Sequence, residues 1–116
     1  MKLADIVKGA EAEGKEKHVP FIEKKKGHGP EQADVIHVVV GKETPHPNTP
    51  EHHIAWVELY GVKPDGQVVS LARAAFAPGY TDPNITFHVP TVDQFKSFHV
   101  LSYCNIHGLW QNSIEA

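Results

Sequence analysis

His52-His53-Ile54-Ala55-Trp56-Val57-Glu58-Leu59-Tyr60 is followed by Gly61, then by Pro64-Asp65-Gly66, then by an apolar run over residues 67–76. It reads as one strand ended by glycine, a turn, and a second strand. The same grammar recurs on both sides. Residues 33–40 are rich in β-branched side chains and form a strand candidate. Residues 41–50 carry Pro45, Pro47 and Pro50, the mark of an ordered, non-helical loop. Pro78-Gly79 and Asp82-Pro83-Asn84 mark another loop, and residues 85–89 and 95–103 are the remaining strand candidates. Short strands punctuated by turns predict an all-β, antiparallel, immunoglobulin-like sandwich or a barrel. There is no alternation of strands with helices, which argues against a doubly wound parallel sheet.

The N-terminal region departs from this pattern. Leu3, Ile6, Val7 and Ala10 are spaced i, i+3, i+4, i+7, which predicts a short amphipathic helix ended by Gly14. Residues 18–23 are extended, because Pro20 excludes helix there. Residues 24–30 carry a charge run and read as a solvated loop.

The chain has 116 residues, which predicts one domain spanning 1–116. With 41% hydrophobic and 22% charged residues it can bury a modest core. No apolar run approaches the roughly 20 residues a transmembrane helix needs. Residues 1–12 lack the continuous apolar segment of a secretory signal, so a cytoplasmic location is expected. A formal charge of −3 argues against binding nucleic acid through bulk positive charge. Cys104 is the only cysteine, which excludes an intrachain disulfide and a four-cysteine metal site. No phosphate-binding glycine loop or nucleophile elbow is present.

Nine histidines are the outstanding feature of the composition. Histidine is the commonest metal ligand, so their local settings matter. His46 lies in Pro45-His46-Pro47-Asn48, stiffened by proline on both sides. His52 and His53 open a strand, where neighbours point to opposite faces, so only one of them can serve a given site. Cys104 and His107 form a C-x-x-H pair after a strand, and Gly108 permits a sharp turn. His18 follows Glu16 and Lys17. His37, His88 and His99 read as structural strand residues, and His28, between two glycines, as a solvated one. The candidate ligands are therefore His18, one or both of His46 and His52, Cys104 and His107. Five such groups overfill a closed, four-coordinate zinc site and favour iron with an open position. The lack of any methionine beyond Met1 argues against a blue-copper centre with an axial thioether.

Three blocks carry a family pattern: Glu16-Lys17-His18-Val19-Pro20, the run from Gly41 through Pro45-His46-Pro47-Asn48-Thr49-Pro50-Glu51-His52-His53, and Ser102-Tyr103-Cys104-Asn105-Ile106-His107-Gly108-Leu109-Trp110. In this order, and over about a quarter of the chain, they resemble the one-iron superoxide reductases. These are also called neelaredoxins and are related to the iron domain of desulfoferrodoxin. The resemblance implies an immunoglobulin-like β-sandwich holding mononuclear non-haem iron. It implies His18, His46, His52 and His107 as equatorial nitrogens and Cys104 as the axial thiolate. Glu16 matches the glutamate that takes the sixth position in the oxidised resting state, and Lys17 the lysine near that open position. His53 then points away. Pro50 stands where related sequences often carry threonine, and residues 77–98 match only loosely.

The implied activity is one-electron reduction of superoxide to hydrogen peroxide, with uptake of two protons and no release of oxygen. The implied partners are a rubredoxin-like electron donor and further copies of the chain in a homotetramer, with no nucleic acid and no membrane. Backbone amides of Ile106 and His107 are candidates for hydrogen bonding to the Cys104 sulfur. Two other classes use the same residues differently: a cupredoxin-like electron-transfer protein, and a zinc-stabilised binding domain without catalysis. Metal analysis and the optical spectrum separate the three.

Overall fold

Seven strands form two antiparallel sheets in the computed structural model, which describes residues 1–10, 18–27 and 34–116. The strands are β1 (Pro20–Lys26), β2 (Asp34–Val40), β3 (Ile54–Val62), β4 (Val68–Ala75), β5 (Asn84–His88), β6 (Ser97–Cys104) and β7 (Gly108–Glu115). One sheet has the order β1-β2-β5 and the other β4-β3-β6-β7. This is the expected all-β sandwich. Alternation explains how the sheets close on each other. In β3, Val57 and Leu59 are fully buried while the alternate residues Trp56, Glu58 and Tyr60 are half-buried. In β6, Phe98, Val100, Ser102 and Cys104 face inward in the same way. From the smaller sheet Ile22, Ile36, Val38 and Val40 complete the core.

The turn at residues 64–66 forms as its sequence dictates. Gly66 N–H donates to the Lys63 carbonyl (2.8 Å), and the Asp65 carboxylate accepts from Gln67 N–H (2.9 Å). Three expectations for the strands need correction. Gly61 does not end β3, which runs on to Val62 and places Gly61 against Phe98 of β6. His52 and His53 precede β3 instead of opening it. Residues 24–26 are not loop: Lys24, Lys25 and Lys26 pair with Ile36, Val35 and Asp34. There the Lys26 ammonium meets the Asp34 carboxylate at 2.7 Å, a hydrogen bond that holds the lysine above its usual range. Finally, β7 was not anticipated, because Gln111-Asn112-Ser113 is polar and exposed and carries little strand propensity.

Among the described residues, a 3-10 turn over Leu3–Asp5 stands in place of the expected N-terminal helix. The edge of β7 competes for this backbone. Lys8 N–H donates to the Leu109 carbonyl (3.2 Å), and Gln111 N–H donates to the Lys8 carbonyl (2.8 Å). Two sheet-type bonds outweigh a helix too short to be stable alone. Of the apolar stripe, Val7 is buried while Leu3 and Ile6 stay exposed. Gly14 lies outside the described residues. Among those described, no helix is long and apolar enough to cross a membrane.

Candidate metal centre

Register brings five strand ends to one end of the sandwich. Pro20 at the start of β1 pairs with Val40 at the end of β2. Ile54 at the start of β3 pairs with Cys104 at the end of β6, which in turn pairs with Gly108 at the start of β7. His18 enters just before β1, His46 and His52 sit on the β2–β3 connection, and His107 on the β6–β7 turn. Residues distant in sequence therefore meet because antiparallel pairing puts their strand ends side by side.

His18, His46, His52 and Cys104 converge there. One ligand-type atom from each lies within 4.8 Å of all the others. Ligands on opposite sides of a metal are separated by two bonds of roughly 2.0–2.3 Å, so this spread matches a single coordination sphere. Cys104, His18 and His46 are buried and His52 is partly so. Three imidazoles and a thiol shielded from water suit a borderline or soft transition metal better than calcium or magnesium. His107 lies against this group. Its Nδ1 is 3.1 Å from His18 Nε2 and 3.7 Å from Cys104 Sγ, and its ring centroid is 5.1 Å from that of His52. Glu16 and Lys17 lie outside the described residues, as does His28.

Local bonding fixes the imidazoles. His46 Nδ1–H donates to the Pro47 carbonyl at 2.8 Å, which selects the tautomer with its lone pair on Nε2. His53 Nδ1–H donates to the Thr49 carbonyl at 3.0 Å. The loop closes on itself: Thr49 N–H donates to the His52 carbonyl, and His52 N–H to the Thr49 carbonyl. Of the two candidate backbone donors to the sulfur, Ile106 and His107, the His107 N–H lies 3.4 Å from Cys104 Sγ. Gly108 adopts φ +86° and allows β7 to depart sharply from that turn. His37 and His99 are engaged elsewhere, with Asn84 (2.7 Å) and Ser97 (2.9 Å), and His88 stands exposed on β5.

Sequence reasoning missed the residues that tie these segments together. Asn105 accepts from His53 N–H (2.8 Å) and donates through Nδ2 to the Glu51 carbonyl (2.9 Å), clamping the histidine loop to the cysteine turn. Asn48 accepts from Gly79 N–H (2.9 Å) and donates to the Thr81 carbonyl (3.2 Å). An asparagine in a loop signals a turn, but not which distant backbone it will hold.

Gly41 closes the loop at its other end, with φ +86°. A Cβ there would meet His46 N at 2.5 Å and the Thr44 carbonyl oxygen at 3.0 Å. Gly41→Ala is expected to lower stability by roughly 1–3 kcal/mol and to displace His46. Asparagine tolerates positive φ but still carries a Cβ. Gly41→Asn should therefore be as damaging, whereas Gly108→Asn, where nothing lies within 4 Å, should melt close to wild type. Equal melting temperatures for the two asparagine variants would refute the steric account.

Fold and site together define a β-sandwich metalloprotein with a buried histidine–cysteine centre at one end. Residues 10–113 match the Desulfoferrodoxin family. The chain is 46% identical to a superoxide reductase of Pyrococcus abyssi, over 97% of each chain. It is 36% identical to a neelaredoxin of Megalodesulfovibrio gigas, over 97% of this chain and 95% of that one. The solved superoxide reductase (neelaredoxin) of Ignicoccus hospitalis superposes with a TM-score of 0.79 at 34% identity, covering 99% of this chain and 97% of that one. The chain belongs to the desulfoferrodoxin family.

Proposed function

We propose that the chain is a single iron-binding domain that reduces superoxide to hydrogen peroxide. The observation that carries this reading is the convergence of His18, His46, His52 and Cys104 within 4.8 Å, in a chain 46% identical to a superoxide reductase. His107 completes the proposed ligand set, supported by its Nδ1 facing His18 and Cys104. Mononuclear iron held by these residues supplies the one-electron chemistry. One electron and two protons convert each superoxide to peroxide, and no oxygen is released.

The chain's own residues set the conditions. Burial of Cys104 and His18 keeps water from the inner side of the centre. The His107 amide donates to the Cys104 sulfur and disperses its charge, which tunes the ease of oxidation. Neutral imidazoles and a single thiolate would leave bound iron with net positive charge, which would favour a small anion. Lys17, adjacent in sequence to His18, is assigned to add local positive potential on the approach path. The Debye length is about 8 Å at physiological salt, so local charge outweighs the negative total. Glu16 is assigned as a further residue that would hold the iron through its carboxylate.

The proposed electron donor is a rubredoxin-like protein, and the proposed location is cytoplasmic. The proposed assembly is a homotetramer. β4 and β5 each end a sheet among the described residues, and strand edges call for cover.

Elemental analysis should find iron, and superoxide supplied to the reduced protein should yield one peroxide per superoxide with no dioxygen. Half a mole of dioxygen per superoxide would indicate dismutation instead. A colourless, redox-silent zinc protein would favour a purely structural metal.

A further inference from the structure

Trp110 touches two of the proposed ligands and belongs to neither the ligand set nor the hydrophobic cluster. We propose that it is a positioning residue that fixes the plane of His18 and the turn bearing His107 together; the inference rests on the ligand assignment above. Its indole stacks on the His18 imidazole with centroids 4.7 Å apart and planes 14° from parallel. Its Nε1–H donates to the His107 carbonyl at 3.3 Å, across the turn that carries Cys104. A stacked ring restricts rotation of His18 about χ2, and the donated bond holds the turn on which His107 rides.

The tryptophan is itself held on every side. It is 3% exposed. Its backbone pairs with Ser102 of β6 on one edge, and with the bridge strand at Lys8 on the other. The Lys8 ammonium stands 5.4 Å from the ring centroid, within cation–π range. The N-terminal segment therefore braces the tryptophan, and the tryptophan braces the centre. This gives the parallel bridge at Lys8 a purpose at a site that Lys8 does not itself touch.

The test uses cobalt(II) as the bound metal, whose ligand-field bands report ligand geometry without any turnover. Affinity and spectrum are compared for wild type, Trp110→Phe and Trp110→Leu. Changes to groups that orient metal ligands typically cost 10–100-fold in affinity. Trp110→Leu, which loses both stack and donor, should bind cobalt about tenfold more weakly with shifted bands. Trp110→Phe keeps a ring against His18 but loses the bond to His107, and should fall between. A general loss of stability would lower affinity without moving the bands. Wild-type bands and affinity in either variant would overturn the assignment; should Trp110→Leu fail to fold, Trp110→Phe still decides. Failure of the wild-type protein to give a thiolate–cobalt band would instead refute the ligand assignment itself.

Discussion

Cys104→Ser is expected to abolish the visible thiolate-to-iron absorption of the oxidised protein, and Cys104→Ala to lose most of its iron during purification. Cys104 is fully buried at the end of β6, and its sulfur lies among the three histidines. Serine offers a hydroxyl that stays protonated at neutral pH and gives no low-energy charge-transfer band. Loss of a group that merely orients a ligand costs 10–100-fold in metal affinity, so loss of a ligand should exceed roughly 100-fold. Folding should survive. Serine is close to cysteine in size, and an imperfectly bonded buried hydroxyl costs about 1–3 kcal/mol. Iron per chain by elemental analysis, the visible spectrum and far-ultraviolet circular dichroism together separate the two effects. A Cys104→Ser protein that retained the wild-type band would overturn the thiolate assignment.

That cysteine was legible in the sequence because one of its partners, His107, is only three residues away. The C-x-x-H spacing and the prolines around His46 are properties of a few adjacent residues, and they point to ligands before any fold is known. Turn and glycine signals likewise bracketed the strand candidates over 52–60 and 95–103, which form β3 and β6 with shifted ends. What stayed hidden depends on distant backbone. The polar run Gln111-Asn112-Ser113 becomes a strand because β6 pairs with it along its whole length. Leu3, Ile6 and Val7 lose their helix because the edge of β7 takes up the backbone of Lys8. Asn105 and Gly41 look like ordinary loop residues until the loops they hold are seen side by side. The same holds for Trp110, whose place in a family motif says nothing of the imidazole it stacks on.

Phe98→Ala should produce the opposite pattern to Cys104→Ser: a large loss of stability with the spectrum of the centre retained. Phe98 is fully buried in β6, opposite Gly61 of β3 and Ile114 of β7. Its ring lies 5.5 Å from that of Phe95. Truncation of a buried phenylalanine costs about 3–5 kcal/mol, because lost transfer energy and an unfilled cavity add. Whole domains are stable by only about 5–15 kcal/mol, so this is a large share. At roughly 4 °C per kcal/mol for a chain of this size, the melting temperature should fall by about 12–20 °C. The centre should be spared. Phe98 is six residues from Cys104 on the same strand, a rise of about 20 Å at 3.3 Å per residue. Metal binds the folded state and stabilises it by mass action, so the loaded variant should melt above the apo variant as in wild type. Thermal unfolding of both forms, followed by circular dichroism and by the visible band, tests the separation. A Phe98→Ala protein that melted like wild type would mean that the core repacks around the cavity. One that lost its visible band while still folded would mean that strain in β6 reaches the sulfur, and that the two ends of the strand are mechanically coupled.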